Sequence, residues 1–179
     1  MRLQHYGKAA SLFTLNFGLI AEWNTLFAVE AGAAATLTGL VFVAVSINLS
    51  RIISVPGLPG RAAESLLQFI EIFLISTVAL IPGQPERIFA VEVLAIAVVS
   101  WIAQVSGQVR YLKVRTGHPW SWFVNRAVLS QFATVPFLAA GIALLMGVPG
   151  ALYWLVPGFV LSFIAGVAGS WVLLVEILR

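Results

Sequence analysis

From Leu26 to Ser50 the chain reads LFAVEAGAAATLTGLVFVAVSINLS, a run of about 25 residues whose one charged side chain is Glu30. A helix of that length, rising 1.5 Å per residue, crosses a hydrocarbon core of about 30 Å. Inside lipid, only helices and closed barrels satisfy their own backbone groups. The run lacks the strict alternation of a barrel strand, so it is expected to be a transmembrane helix. Its small residues recur every four positions, Ala31, Ala35 and Gly39 in one row and Ala28, Gly32 and Thr36 in another. Such rows let another helix backbone come close. Glu30 and Asn48, five whole turns apart, share a face. The segment is therefore expected to be the packing hub of the bundle.

Four more apolar runs follow, giving an all-α membrane bundle of about five spans: 26–50, 61–81, 88–109, 124–146 and 151–177. Turn sequences separate them. SVPGLPG, PGQPER and GVPG all carry prolines and glycines that end helices. Composition agrees: 60% of the 179 residues are hydrophobic and 9% are charged, against about 25% charged in soluble domains. Residues 1–20 hold Arg2, Lys8 and a short apolar run interrupted by Asn16. They read as an N-terminal interfacial helix, with a short extra span as the alternative. The whole chain, 1–179, is expected to form one transmembrane domain.

The net charge of +3 does not point to nucleic acid, because the arginines and lysines sit at the ends of apolar runs. Arg51, Arg61, Arg110, Lys113, Arg115, Arg126 and Arg179 fall on one side of a five-span chain, and Arg2, Lys8 and Arg87 on the other. The positive-inside rule then puts the N-terminus outside and the C-terminus in the cytoplasm. With no cysteine or aspartate, thiolate metal sites, cysteine nucleophiles and aspartyl dyads are excluded. The two histidines, His5 and His118, are too few for a multi-histidine metal site. HExxH, Walker-type and GxSxG patterns are missing as well. No enzyme and no cofactor is expected.

Chemistry is left to the acids inside the spans. A charged side chain at the centre of a lone transmembrane helix costs about 2.5–3.5 kcal/mol on insertion scales, so it needs water, a proton or a partner. Glu30 and Glu92 lie about one turn inside the outer boundary, and Glu71 lies close to the midplane. Glu64, Asn48, Gln104, Gln108 and Glu176 lie toward the inner side. Glu64, Gln68 and Glu71 form one polar stripe at i, i+4 and i+7, and Ser100, Gln104 and Gln108 form another. Acids and amides at successive depths are what a cation or proton path needs. The structural alternative is that end-lying acids reach headgroups, while Glu71 is hydrogen-bonded to a neighbouring helix.

Gly158, Ser162, Gly166 and Ser170 form a second small-residue ladder, suited to packing on the first ladder or on another copy of the chain. Two functions follow. One is an oligomeric cation or proton channel or transporter centred on Glu71, with Glu30, Glu92, Glu64 and Asn48 along the route. The other is a scaffold or regulator that binds other membrane proteins through the ladders. A conducting path wants Glu71 facing a hydrated cavity or a symmetry axis. A scaffold buries it against a neighbour with a hydrogen-bond partner.

The segment AGAAATLTGLVFVAVSINLSRI, followed by PGLPGRAAE, resembles a pattern in an uncharacterised family of small bacterial multi-spanning inner-membrane proteins. The resemblance covers the first half of the chain, to about Glu71. It implies a bacterial inner membrane and no substrate. Motifs of potassium channels, small multidrug exporters, fluoride channels and rhomboids are not found.

Overall fold

The structure, a computed structural model, describes residues 22–55, 57–114 and 120–178. The N-terminal interfacial helix expected in 1–20, and His118, lie outside the described residues. The described chain is helical: α1 (Asn24–Ile47), the short α2 (Leu49–Ser54), α3 (Leu58–Ala79), α4 (Glu86–Val114), α5 (Trp120–Leu145), a 3-10 turn (Ala151–Trp154) and α6 (Leu155–Leu178). Among the described residues, five segments are long and apolar enough to cross a membrane: Asn24–Ile47, Leu58–Ala79, Glu86–Leu112, Ala127–Leu145 and Ala151–Val175. By length and composition, the chain is a polytopic membrane protein.

A long apolar helix lies over each of the five apolar runs, with bounds that differ by a few residues at the ends. The SVPGLPG turn is shorter than its composition suggests. Leu58 already starts α3, with Pro59 in the first turn, where its missing N–H costs no helix hydrogen bond. Gly57 precedes it at φ 94°, a left-handed conformation natural to glycine. A Cβ there would also stand 2.8 Å from the Tyr111 ring. This close approach ties the start of α3 to the end of α4.

The centre of the bundle is α3, not α1 as the small-residue rows suggested. Helices α3, α4, α5 and α6 close a ring, each packed on its two neighbours, and α1 docks on the outside of α3. Half of the α3 span is buried but only 17% of the α1 span, which settles the order. Phe27 and Ala34 are the buried residues of α1. The Phe27 ring meets Phe89 and Phe159 edge-on, each at 6.3 Å, and pins one end of α1 to α4 and α6. Farther along, Leu40, Phe42, Val43 and Ile47 face outward, as lipid-facing residues do. The hydroxyls of Thr36 and Ser46 turn back onto Gly32 O and Phe42 O, each at 2.8 Å, which hides them from lipid.

Antiparallel register runs around the ring. Gly141 lets α5 approach Leu94 of α4, with room for no Cβ beyond 2.9 Å from the Leu94 backbone. Gly158 faces the Phe137 ring, Gly166 faces the Phe69 ring, and Gly169 faces the Ser65 hydroxyl. The second small-residue ladder is thus occupied within the chain. The first stays open: Gly32 and Gly39 have nothing within 4 Å of an added Cβ. Ala28, Ala35 and Thr36 are exposed, and Ala31 is half-buried.

Candidate functional site: a polar interior

The ring of four helices encloses a polar interior as well as an apolar one. Its apolar part is built from Phe69, Ile72, Ile75, Phe89, Val93, Phe137, Leu155 and Phe159. Ser65, Gln68, Glu71, Ser76, Ser100, Gln104, Gln108, Ser130, Thr134 and Ser162 are buried with them. The stripes at Gln68–Glu71 and Ser100–Gln104–Gln108 face inward because turning them outward would leave amides in lipid.

Gln104 on α4 is the junction. Its Nε2 donates to Thr134 Oγ1 at 2.9 Å. Its Oε1 accepts from Gln68 Nε2 at 3.2 Å and also from the Ser130 hydroxyl. Thr134 Oγ1 in turn donates to Glu71 Oε2 at 3.4 Å. One amide therefore joins α3, α4 and α5 at the level of Glu71. One turn along α4, Gln131 Oε1 accepts from Trp101 Nε1 at 2.7 Å, and Gln131 Nε2 lies 3.5 Å from Gln108 Oε1.

Glu71 has no exposed surface. It is the fourteenth residue of the 22 in α3, near the middle of a helix about 33 Å long. Its Oε2 is bonded to Thr134, whereas its Oε1 has no hydrogen-bond partner among the described residues. The same is true of Ser65 Oγ, Gln68 Oε1, Ser76 Oγ and Ser162 Oγ. From Ser65 to Ser76 these groups follow α3 for about 16 Å, roughly half the hydrocarbon thickness. Buried polar atoms nearly always find a partner, in the protein or in water, so these oxygens call for one.

The other acids of the expected route are only partly buried. Glu30 is half-buried on α1. Glu92, half-buried near the start of α4, accepts a hydrogen bond from the Gln84 side chain. Glu64 is half-buried in the first turns of α3. Asn48 closes α1 by donating its side-chain amide to Ala44 O at 2.9 Å. The structure brings Glu71 together with Gln68, Gln104, Ser130 and Thr134, and leaves Glu92 and Asn48 bonded locally. Of the ladder residues, Gly158, Ser162 and Gly166 are buried and Ser170 bonds back to Gly166 O at 2.8 Å.

Serines 65, 76 and 130 were not legible as site residues. A serine in a membrane helix commonly bonds its own backbone, as Ser46 does, so its sequence position carries little signal. No group of three or more His, Cys, Asp or Glu side chains that could hold a metal occurs among the described residues. Comparison with protein-family models, with curated proteins and with solved structures gives no match. The family resemblance read from the first half of the chain has no support from these comparisons.

Proposed function

We propose that this membrane protein moves cations or protons, or couples to their movement, with Glu71 as the central site. The observation behind the reading is the set of buried oxygens around Glu71 that lack hydrogen-bond partners among the described residues. An unsatisfied polar group in a membrane interior costs several kcal/mol, so water, a proton or a cation is the natural complement. In this reading Glu30 and Glu92 lie toward the outer mouth, and Glu64 and Asn48 toward the inner one. The N-terminus lies outside a bacterial inner membrane and the C-terminus in the cytoplasm, following the arginine and lysine distribution. The test is flux into liposomes holding the purified chain. Protons or alkali cations should cross faster than in empty liposomes, and Glu71→Gln should change the rate. No flux above empty liposomes, across several cations and pH values, sinks the reading.

A separate observation favours a second reading, in which the protein binds other membrane helices or its own copies. The row Ala31, Ala35 and Gly39 on α1 is left open, and small residues facing lipid give a partner helix room to approach. Thr134 also bonds Glu71 in the manner of a structural acid. Under this reading Gly39→Leu abolishes association and Glu71→Gln leaves function intact, which is the reverse of the first.

A further inference from the structure

We propose that Glu71 Oε1, Gln68 Oε1 and Ser162 Oγ, brought within about one helical turn of one another by α3 and α6, form a binding site for a single small alkali cation, sodium foremost. This rests on the reading of Glu71 as an ion or proton site and names its ligand.

The placement of Ser162 follows from two independent registers. On α3, Gly166 packs on Phe69 and Gly169 on Ser65, so α6 runs antiparallel to α3. Ser162, one turn before Gly166, then stands level with Ile72 and its neighbour Glu71. On α5, Gly158 packs on Phe137. Ser162, one turn after Gly158, stands level with Ala133 and Thr134. Thr134 is itself the residue that bonds Glu71, so both registers converge on the same height. Gln68 lies three residues from Glu71, a neighbour on the helix surface.

All three side chains are at least 98% buried, and each has an oxygen without a hydrogen-bond partner among the described residues. Thr134 and Gln104 are engaged with one another, so they orient the site and do not complete it. The donor set decides the ligand. Carboxylate, amide and hydroxyl oxygens are hard donors, suited to hard cations and poor for soft metals. One carboxylate balances one positive charge. A divalent ion would leave a net charge in the low-dielectric interior, which is costly. A monovalent ion leaves the site neutral.

The test is protection of Glu71 from a hydrophobic carbodiimide, N,N′-dicyclohexylcarbodiimide, which modifies protonated carboxyls reached from lipid. The full chain is labelled in detergent in sodium, potassium or choline chloride at one ionic strength, and adducts are mapped by mass spectrometry. Sodium should slow the adduct at Glu71 while potassium and choline do not. Ser162→Ala should raise the half-protecting sodium concentration about tenfold, as expected for the loss of one charge-assisted contact. The unfolding midpoint gives a second measurement, independent of labelling. It should rise with sodium in the natural chain and not in Glu71→Gln. Equal labelling in all three salts, or an unfolding midpoint indifferent to sodium where Glu71 takes no label, overturns the site. The two proposals fail differently. Sodium protection without flux keeps the site and removes the transport reading, whereas proton flux without sodium protection does the opposite.

Discussion

The two glycine ladders differ in one measurable way, shown by Gly166→Ala and Gly39→Ala. At Gly166 an added Cβ falls 2.6 Å from both Cε1 and Cζ of Phe69, well inside the 3.4 Å of ordinary contact. The ring has little room to swing clear, because Phe69 has no exposed surface and its centroid lies 6.1 Å from the tilted ring of Phe163. Forcing an extra methyl into such a core costs about 1–3 kcal/mol. Alanine returns up to about 1 kcal/mol through helix propensity, so the net loss is about 0–2 kcal/mol. At Gly39 nothing lies within 4 Å, and only the propensity gain remains. The variants should therefore differ by about 1–3 kcal/mol, with Gly166→Ala the weaker. Reversible unfolding in mixed micelles, followed by circular dichroism, measures the difference. If Gly166→Ala equals or exceeds Gly39→Ala in stability, α6 does not pack on α3 as described.

Three further outcomes are expected. Phe27→Ala removes the aromatic anchor of α1 and should cost about 3–5 kcal/mol in the same unfolding assay, with increased proteolysis near α1. Gln104→Leu strands Gln68, Ser130 and Thr134 without their shared partner; a loss of about 1–3 kcal/mol should appear in the micelle titration. Gly39→Leu should leave the unfolding of the isolated chain near that of the natural protein. Crosslinking in native membranes should then show whether the open face of α1 carries association, by loss of any oligomer band.

The five long apolar helices could be read because hydrophobic length is set by the membrane and repeats in every helix. The inward stripes of α3 and α4 were legible for a related reason: Gln68, Glu71, Gln104 and Gln108 cannot face lipid cheaply. What a single sequence concealed was which helix lies in the middle. Small residues mark close approach without saying whether the partner is in the same chain. The row at Gly158 and Gly166 meets Phe137 and Phe69, and the similar row at Gly39 meets nothing. The bonds around Glu71 were hidden too, since Thr134 lies 63 positions away and only the register of α5 brings it near. Around Glu71, the central residue of the route expected with Glu30, Glu92, Glu64 and Asn48, the buried neighbours also include serines that the sequence did not single out. Near helix ends, Glu92 and Asn48 find local partners in the Gln84 side chain and Ala44 O.

Whether the polar interior meets solvent is decided most directly by water-edited solid-state NMR on the chain in lipid bilayers, with glutamate carboxyl carbons labelled and Glu71 assigned by its glutamine variant. A pathway through the bundle predicts rapid transfer of water magnetisation to the Glu71 carboxyl, comparable to that for the half-buried acids. Transfer as slow as to the Phe69 and Ile72 side chains beside it would mean a dry structural acid held by Thr134, and would contradict the pathway.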